Sequence, residues 1–345
     1  MNKKTKERLF FSIFAFVVAS FLFVAPYVIL PKIYAGREQW LQTAPPNATF
    51  LELWEIDTFE GGNASRARFL EKTAYMYQEK TLSTFVIVRS VDLEQAKMML
   101  ENGTRPDLIS FGIGAGDMIL SLLSEINTDL NVRTDLQAGG IKEGKIMAVP
   151  WCFGGYVLCA KGEVDLSAQN LKQLAEESEL KVLGTGQNYN LPQKVLNSEE
   201  YALLDNVERT QYQAYESFLR DNEFQVLLGT QRDFYRLNNK VSLGVIDQMT
   251  YEYKSNYTDL IQYLAISTNV TENILPATKF IKFVTQSHIQ KKLTSIGMFS
   301  VDGQSIYSNE YAEFEKALQN KLQVMNVFTS NVYLKEQQNK EATNE

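Results

Sequence analysis

From residue 50 onward, short apolar runs of strand type alternate with stretches whose apolar residues recur at helical spacing. Phe50 to Ile56 reads as a strand, Ala64 to Lys80 carries Phe69, Tyr75 and Met76 at helical intervals, and Thr84 to Arg89 is β-branched. Asp92 to Asn102 reads as a helix with Asp92 at its N-cap, and Asp107 to Phe111 as a third strand. This alternation predicts βαβ units and a mostly parallel α/β sheet. Such sheets take ligands at the carboxyl ends of their strands, which singles out the loops Glu55 to Gly62 and Gly112 to Gly116.

The second half opens with an apolar stretch, Ile146 to Ala160, interrupted by Pro150, Gly154 and Gly155. A helix is expected over Ser167 to Glu177, a strand over Leu180 to Leu183, and long helical segments over 190 to 221. Phe224 to Gly229, Val241 to Val245 and Ile261 to Ile266 look like strands. Ala277 to Thr294 is amphipathic, with Phe280, Ile281, Phe283, Val284 and Leu293 on one side and His288 on the other. A last helix is expected over Glu310 to Phe328, followed by a polar tail, 331 to 345.

Before these elements, Leu9 to Leu30 is a run of 22 uncharged residues preceded by Lys3, Lys4, Lys6 and Arg8. As a helix it would measure about 33 Å, against a bilayer hydrocarbon core of about 30 Å. Residues 1–35 are therefore expected to be a basic cytoplasmic stub and one transmembrane helix, with 36–49 a tether and the rest extracytoplasmic. A cleaved signal segment ending at Ala35 is the rival reading. No cysteine directly follows the run, so a lipid anchor has no acceptor there.

At 345 residues with 45% hydrophobic and 22% charged, the chain has material for one large or two medium domains. The net charge is −7 although the first eight residues sum to +3, so the remainder is acidic and a nucleic-acid partner is not expected. A lone histidine, His288, removes most routes to a histidine-rich metal site or a Ser-His-Asp triad, and neither metal nor cofactor is expected. The run GIGAG places Asp117 where the dinucleotide fingerprint needs its third glycine. Cys152 and Cys159, seven apart on what reads as one strand, would face opposite sides and are expected as free, buried thiols.

The ordered segments LELWEIDTFEGG, GTRPDLISFGIGAG, IMAVPWCFGGYVLCAKG, LGTQRDFYRLNN and ATKFIKFVTQSHIQKKLTSIGMFSV resemble the extracellular solute-binding proteins of bacterial ABC importers, in the sugar- and oligosaccharide-binding branch. The resemblance covers residues 50 to 330. It implies a two-lobed, type II periplasmic-binding-protein-like α/β fold with hinge crossovers. Lobe 1 would hold 50–150 plus 259–298, and lobe 2 would hold 151–258 plus 299–330. It implies a small-molecule solute, a carbohydrate by that branch, and an ABC permease as partner. The chain departs from the family in having an uncleaved-looking span and in CAKGEVD, which lacks the usual tyrosine-asparagine-lysine run.

A sugar offers hydroxyl edges and C–H faces, so aromatic platforms with carboxylate, amide and arginine partners suit it. Trp54 and Trp151 are candidate platforms or core residues, Glu55 and Asp57 candidate acceptors or solvated loop charges. Gly112 and Gly114 would bring backbone amides to a ligand or form a plain turn. Gln231 and Arg232 resemble the family's second-lobe contact segment, and Tyr156 and Tyr189 are further aromatic candidates or packing residues. Two other readings stay open: a ligand-binding sensory or scaffold module without transport, and a glycoside-processing enzyme using Glu55 with a second carboxylate.

Overall fold

In the computed structural model, residues 48–329 are described, except 60, 178–180, 187–191, 206 and 208. The run Leu9–Leu30, Tyr189 and the polar tail lie outside the described residues. Among the described residues no helix is long and apolar enough to cross a membrane.

The first half is β1 (Thr49–Ile56), α1 (Arg66–Thr81), β2 (Thr84–Val91), α2 (Leu93–Glu101) and β3 (Leu108–Phe111). Each helix starts where a cap is encoded. The Ser65 hydroxyl accepts from the Arg68 amide at α1, and Asp92 with Gln95 forms a reciprocal capping box at α2. The second half supplies β4 (Val149–Phe153), β5 (Tyr156–Lys161), α3 (Ala168–Glu177), β6 (Lys181–Thr185), β7 (Phe224–Thr230), α4 (Gln231–Ser242), β8 (Met249–Lys254), β9 (Ile261–Ile266), α5 (Thr271–Val284) and α6 (Tyr311–Ala317).

These strands form two sheets, ordered β2-β1-β3-β9-β4 and β8-β5-β7-β6. The βαβ units are parallel as expected, but β9 and β4 join the first sheet antiparallel, and β5 is antiparallel to both its neighbours. The antiparallel members are the strands next to the places where the chain passes from one sheet to the other. Those passages meet at one point. Phe153 and Phe299 exchange both backbone hydrogen bonds, Gly154 donates to the Leu260 carbonyl at 2.7 Å, and the Thr258 hydroxyl donates to the Gly154 carbonyl at 2.7 Å. A Cβ at Gly154 would sit 2.2 Å from the Gln231 amide nitrogen and displace that buried side chain.

Four expectations change. Val241 to Val245 is not a strand: α4 runs through Ser242, nucleated by a capping box between Thr230 and Asp233, and leaves Leu243 and Val245 exposed. The strand of this region is β8, whose half-buried Tyr251 and Tyr253 pack on Phe234. The last helix stops at Ala317, because Arg133 takes the Leu318 and Asn320 carbonyls and Asp135 accepts from the Leu322 amide. Residues 192–221 form four short helical pieces, restarted at the caps Asn197 and Thr210, and the helix over 277–294 divides at Thr285.

Cys152 and Cys159 are free and buried. They belong to different sheets, Cys152 in β4 and Cys159 in β5, because Gly154 and Gly155 end the strand between them. Apolar side chains fill both faces of each sheet. Trp151 stacks on Phe69 of α1 at 5.6 Å, and Phe234, Phe299, Tyr311 and Phe314 form an aromatic cluster against the second sheet.

Candidate functional site

β1 ends at Ile56 and α1 begins at Arg66, so the chain between them forms a loop at the carboxyl end of a central strand. This loop walls a cavity of about 590 Å³, lined by Asp57, Thr58, Phe59, Gly61, Asn63, Ala64, Ser65 and Arg66, with Leu93 from α2. The lining also includes Arg232, the second residue of α4, which packs on the other sheet. Two helices from different sheets therefore begin at one cavity.

Its charges are arranged around Arg66. That side chain is buried, with Nη2 2.6 Å from Asp57 Oδ1, Nε donating to the same oxygen at 2.8 Å, and Nη2 donating to the Phe59 carbonyl at 2.6 Å. The guanidinium also lies 4.1 Å from the centre of the Phe59 ring. Burial works against its charge, but Asp57 and Glu55 more than offset this and hold it above its usual value. Asp57 keeps about half of its side chain in solvent, at 54%.

Glu55 lies behind this wall, wholly buried, with Oε1 3.7 Å from Arg66 Nε and accepting from Gln262 Nε2 at 3.2 Å. Desolvation, reinforced by the Asp57 charge, pushes its pKa up to about 8. Glu55 Oε2, Thr58 Oγ1, Arg66 Nη1 and Gln262 Oε1 are buried with no protein hydrogen-bond partner.

Of the residues singled out in the sequence, Asp57 and Arg232 come together at the cavity. Trp54 and Trp151 are fully buried and present no face to solvent: Trp54 Nε1 donates to Glu52, and Trp151 Nε1 donates to the Ser110 hydroxyl. Both pack as core, one on each side of the first sheet. Tyr156 is buried, its hydroxyl donating to Asp259. Gln231 is buried at the seam between the sheets, accepting from the Gly155 amide at 3.1 Å and donating to the Met298 sulfur at 3.2 Å. Gly112 is buried where a Cβ would meet Thr58 Oγ1 at 2.3 Å, and Gly114 turns the chain at φ 94°.

The sequence reading missed Arg66, Asn63 and Ser65. Their signal was present: a serine cap followed by an arginine at a helix start, on the same loop as Asp57.

No protein-family model matches the chain, and no curated protein sequence matches it. Solved structures do. The GacH receptor of Streptomyces glaucescens, solved unliganded and with acarbose, is similar over 83% of this chain and 90% of its own, with TM-score 0.59 and 13% identity. The fold is that of the ABC substrate-binding proteins. A cyclo/maltodextrin-binding protein complexed with maltotetraose matches over 83% of this chain and 88% of its own, with TM-score 0.60 and 13% identity. An ABC substrate-binding protein from Listeria monocytogenes in complex with cycloalternan matches over 82% and 90%, with TM-score 0.58 and 9% identity. These matches span most of each relative's length, so the likeness is to the whole two-sheet body rather than to one βαβ unit.

Proposed function

We propose that the chain is an extracytoplasmic solute-binding protein that captures a carbohydrate between two lobes and delivers it to an ABC permease. The observation that carries this reading is the cavity itself, whose walls come from loops attached to different sheets, Asp57 and Arg66 on one side and Arg232 on the other. Only a closed arrangement lets one ligand touch both, and that difference in contacts is what would shift an open form toward a closed one. The lobes would be 50–150 with 259–298 and 151–258 with 299–330, hinged where Phe153 and Phe299 exchange backbone hydrogen bonds and Gly154 donates to the Leu260 carbonyl. Structural relatives bound to acarbose, maltotetraose and cycloalternan support a carbohydrate as the solute.

The Leu9–Leu30 run supports a single membrane tether, with residues 36–345 outside the cytoplasm. A permanent anchor without a lipid-acceptor cysteine also favours a second reading, a sensory module using the same fold. Purification of the full-length chain in mild detergent separates the two, since only the first reading expects permease subunits to accompany it. Hydrolysis is disfavoured because Glu55, the acid such a reaction would use, is wholly buried and does not line the cavity.

Calorimetric titration of the full-length chain in detergent against maltotetraose, acarbose, cycloalternan, a peptide mixture and spermidine tests the binding role. Heat is expected from at least one saccharide. Silence from all of them removes the carbohydrate assignment.

A further inference from the structure

A sheet edge that is long, apolar and uncovered invites another strand, because its outward N–H and C=O groups lack partners. The edge strands of the two large sheets are β2 and β4, and β8 and β6. Three of them are protected. β4 is wholly buried and bridged to Phe299, β6 is five residues long, contains Gly184 and is bridged to Leu204, and β8 carries Glu252 and Lys254 as an ion pair.

β2 has none of these devices. Its eight residues contain no proline or glycine and one charge, Arg89, which lies 3.9 Å from Glu52 of β1. Ile87 is 56% exposed, and Phe85 stacks at 5.0 Å on Phe50, itself 45% exposed. In a chain of net negative charge, this strand presents apolar side chains and no carboxylate.

The register shows which backbone groups are open. Thr49 pairs with Thr84 in a parallel ladder, and the Thr49 amide donates to the Ser83 carbonyl at 2.8 Å. The bonds to β1 therefore fall on Phe85, Ile87 and Arg89, and the N–H and C=O groups of Thr84, Val86, Val88 and Ser90 point away from β1. Among the described residues no other strand pairs with β2.

We propose that β2 is the interface of a two-fold dimer, pairing antiparallel with β2 of a second copy of this chain about an axis at Ile87. This register uses every open group: Val86 exchanges both hydrogen bonds with the second copy's Val88, and Thr84 with the second copy's Ser90. Moving the axis by half a residue sets open groups against occupied ones, and moving it by a whole residue takes Thr84 or Ser90 beyond the end of the facing strand. On the more exposed face Ile87 meets its own copy and Arg89 lies against the second copy's Phe85, with no like charges opposed. The contact is isologous and closes at two copies. It is independent of the solute that the cavity takes.

Sedimentation velocity of the full-length chain in mild detergent tests the dimer, which is expected at micromolar concentration. Val88→Pro deletes an outward N–H and none of the bonds to β1, and Ile87→Lys opposes two like charges at the axis. Each should halve the mass with circular dichroism unchanged, and either one serves if the other does not fold. Ile87→Cys should give a disulfide-linked dimer on mild oxidation, since facing residues of a non-hydrogen-bonded pair have Cα atoms about 4.5 Å apart, and the native thiols are buried. A native monomer overturns the proposal. A dimer that survives both Val88→Pro and Ile87→Lys also overturns it and places the association elsewhere in the chain, the Leu9–Leu30 run included. A dimer that Ile87→Cys does not cross-link overturns the register. A monomer whose Val86 and Val88 amides resist hydrogen exchange gives the edge to residues 1–47 of the same chain and overturns the second copy as its occupant.

Discussion

The Tyr156 hydroxyl donates to the Asp259 carboxylate across the point where the chain changes sheets, joining residues 103 positions apart. Both are buried, and the Tyr257 hydroxyl donates to the other oxygen of Asp259 at 3.3 Å. Tyr156 opens β5 just after the first passage, and Asp259 lies on the returning segment. Tyr156→Phe removes a donor and leaves a buried carboxylate short of one partner, a loss of about 1–3 kcal/mol. Thermal denaturation should show the lower midpoint, with the fold retained by circular dichroism. An unchanged midpoint would mean the bond contributes nothing net to the passage between the sheets.

Glu55 makes stability depend on pH in a defined direction. Its folded pKa, about 8, lies above the ordinary 4.5, so the folded state holds a proton that the unfolded chain has released. Stability should therefore fall as pH rises from about 4.5 to about 8, by at most about 1.4 kcal/mol per pH unit, and level off above that. Glu55→Gln, which mimics the neutral acid in shape, should flatten this slope. Thermal midpoints of both proteins across that range check it.

Trp151 tests core against platform. Its ring stacks on Phe69, its indole N–H reaches Ser110, and it has no exposed surface. Trp151→Ala should cost about 3–5 kcal/mol of stability. A ligand platform would instead lose saccharide affinity with stability intact, so calorimetry and denaturation on the same variant distinguish the roles.

Arg232 reaches the cavity from the second sheet. Its removal in Arg232→Ala should weaken maltotetraose binding about 10- to 100-fold, the loss of a charge-assisted hydrogen bond. Unaltered affinity would place the ligand against residues of the first sheet's loops only.

Both thiols should be silent to reagents in the native state. Burial raises Cys152 and Cys159 well above the ordinary thiol value, leaving almost no thiolate. Labelling with an aromatic disulfide reagent is expected only after denaturation.

Much of this architecture was legible in advance because it is written locally. The periodicities of β1, α1, β2, α2 and β3, and the cap Asp92, depend on neighbours within a few positions. The errors fell where distant partners overrule local preference. Residues beyond Ala317 continue a helical pattern, yet Arg133 and Asp135, nearly two hundred positions earlier, take their backbone groups. Tryptophans beside a strand end or a proline look like platforms; only the position of Phe69 and Ser110 shows which way Trp151 faces.

By itself the sequence determined the alternation of strand and helix and the acidic body behind a basic, apolar N-terminus, but it read Ile146 to Ala160 as one strand, which the structure divides at Gly154 and Gly155. Hydrophobic period, side-chain caps and the freedom of glycine act over short distances, so they can be read from the order of residues. The tertiary structure alone decided that Arg66 joins Asp57 at the cavity, that Arg232 lines the same cavity from the other sheet, and that Glu55 is buried where desolvation raises its pKa. Those outcomes depend on burial and on charges brought close by chain crossings, and neither quantity exists until the two sheets have formed.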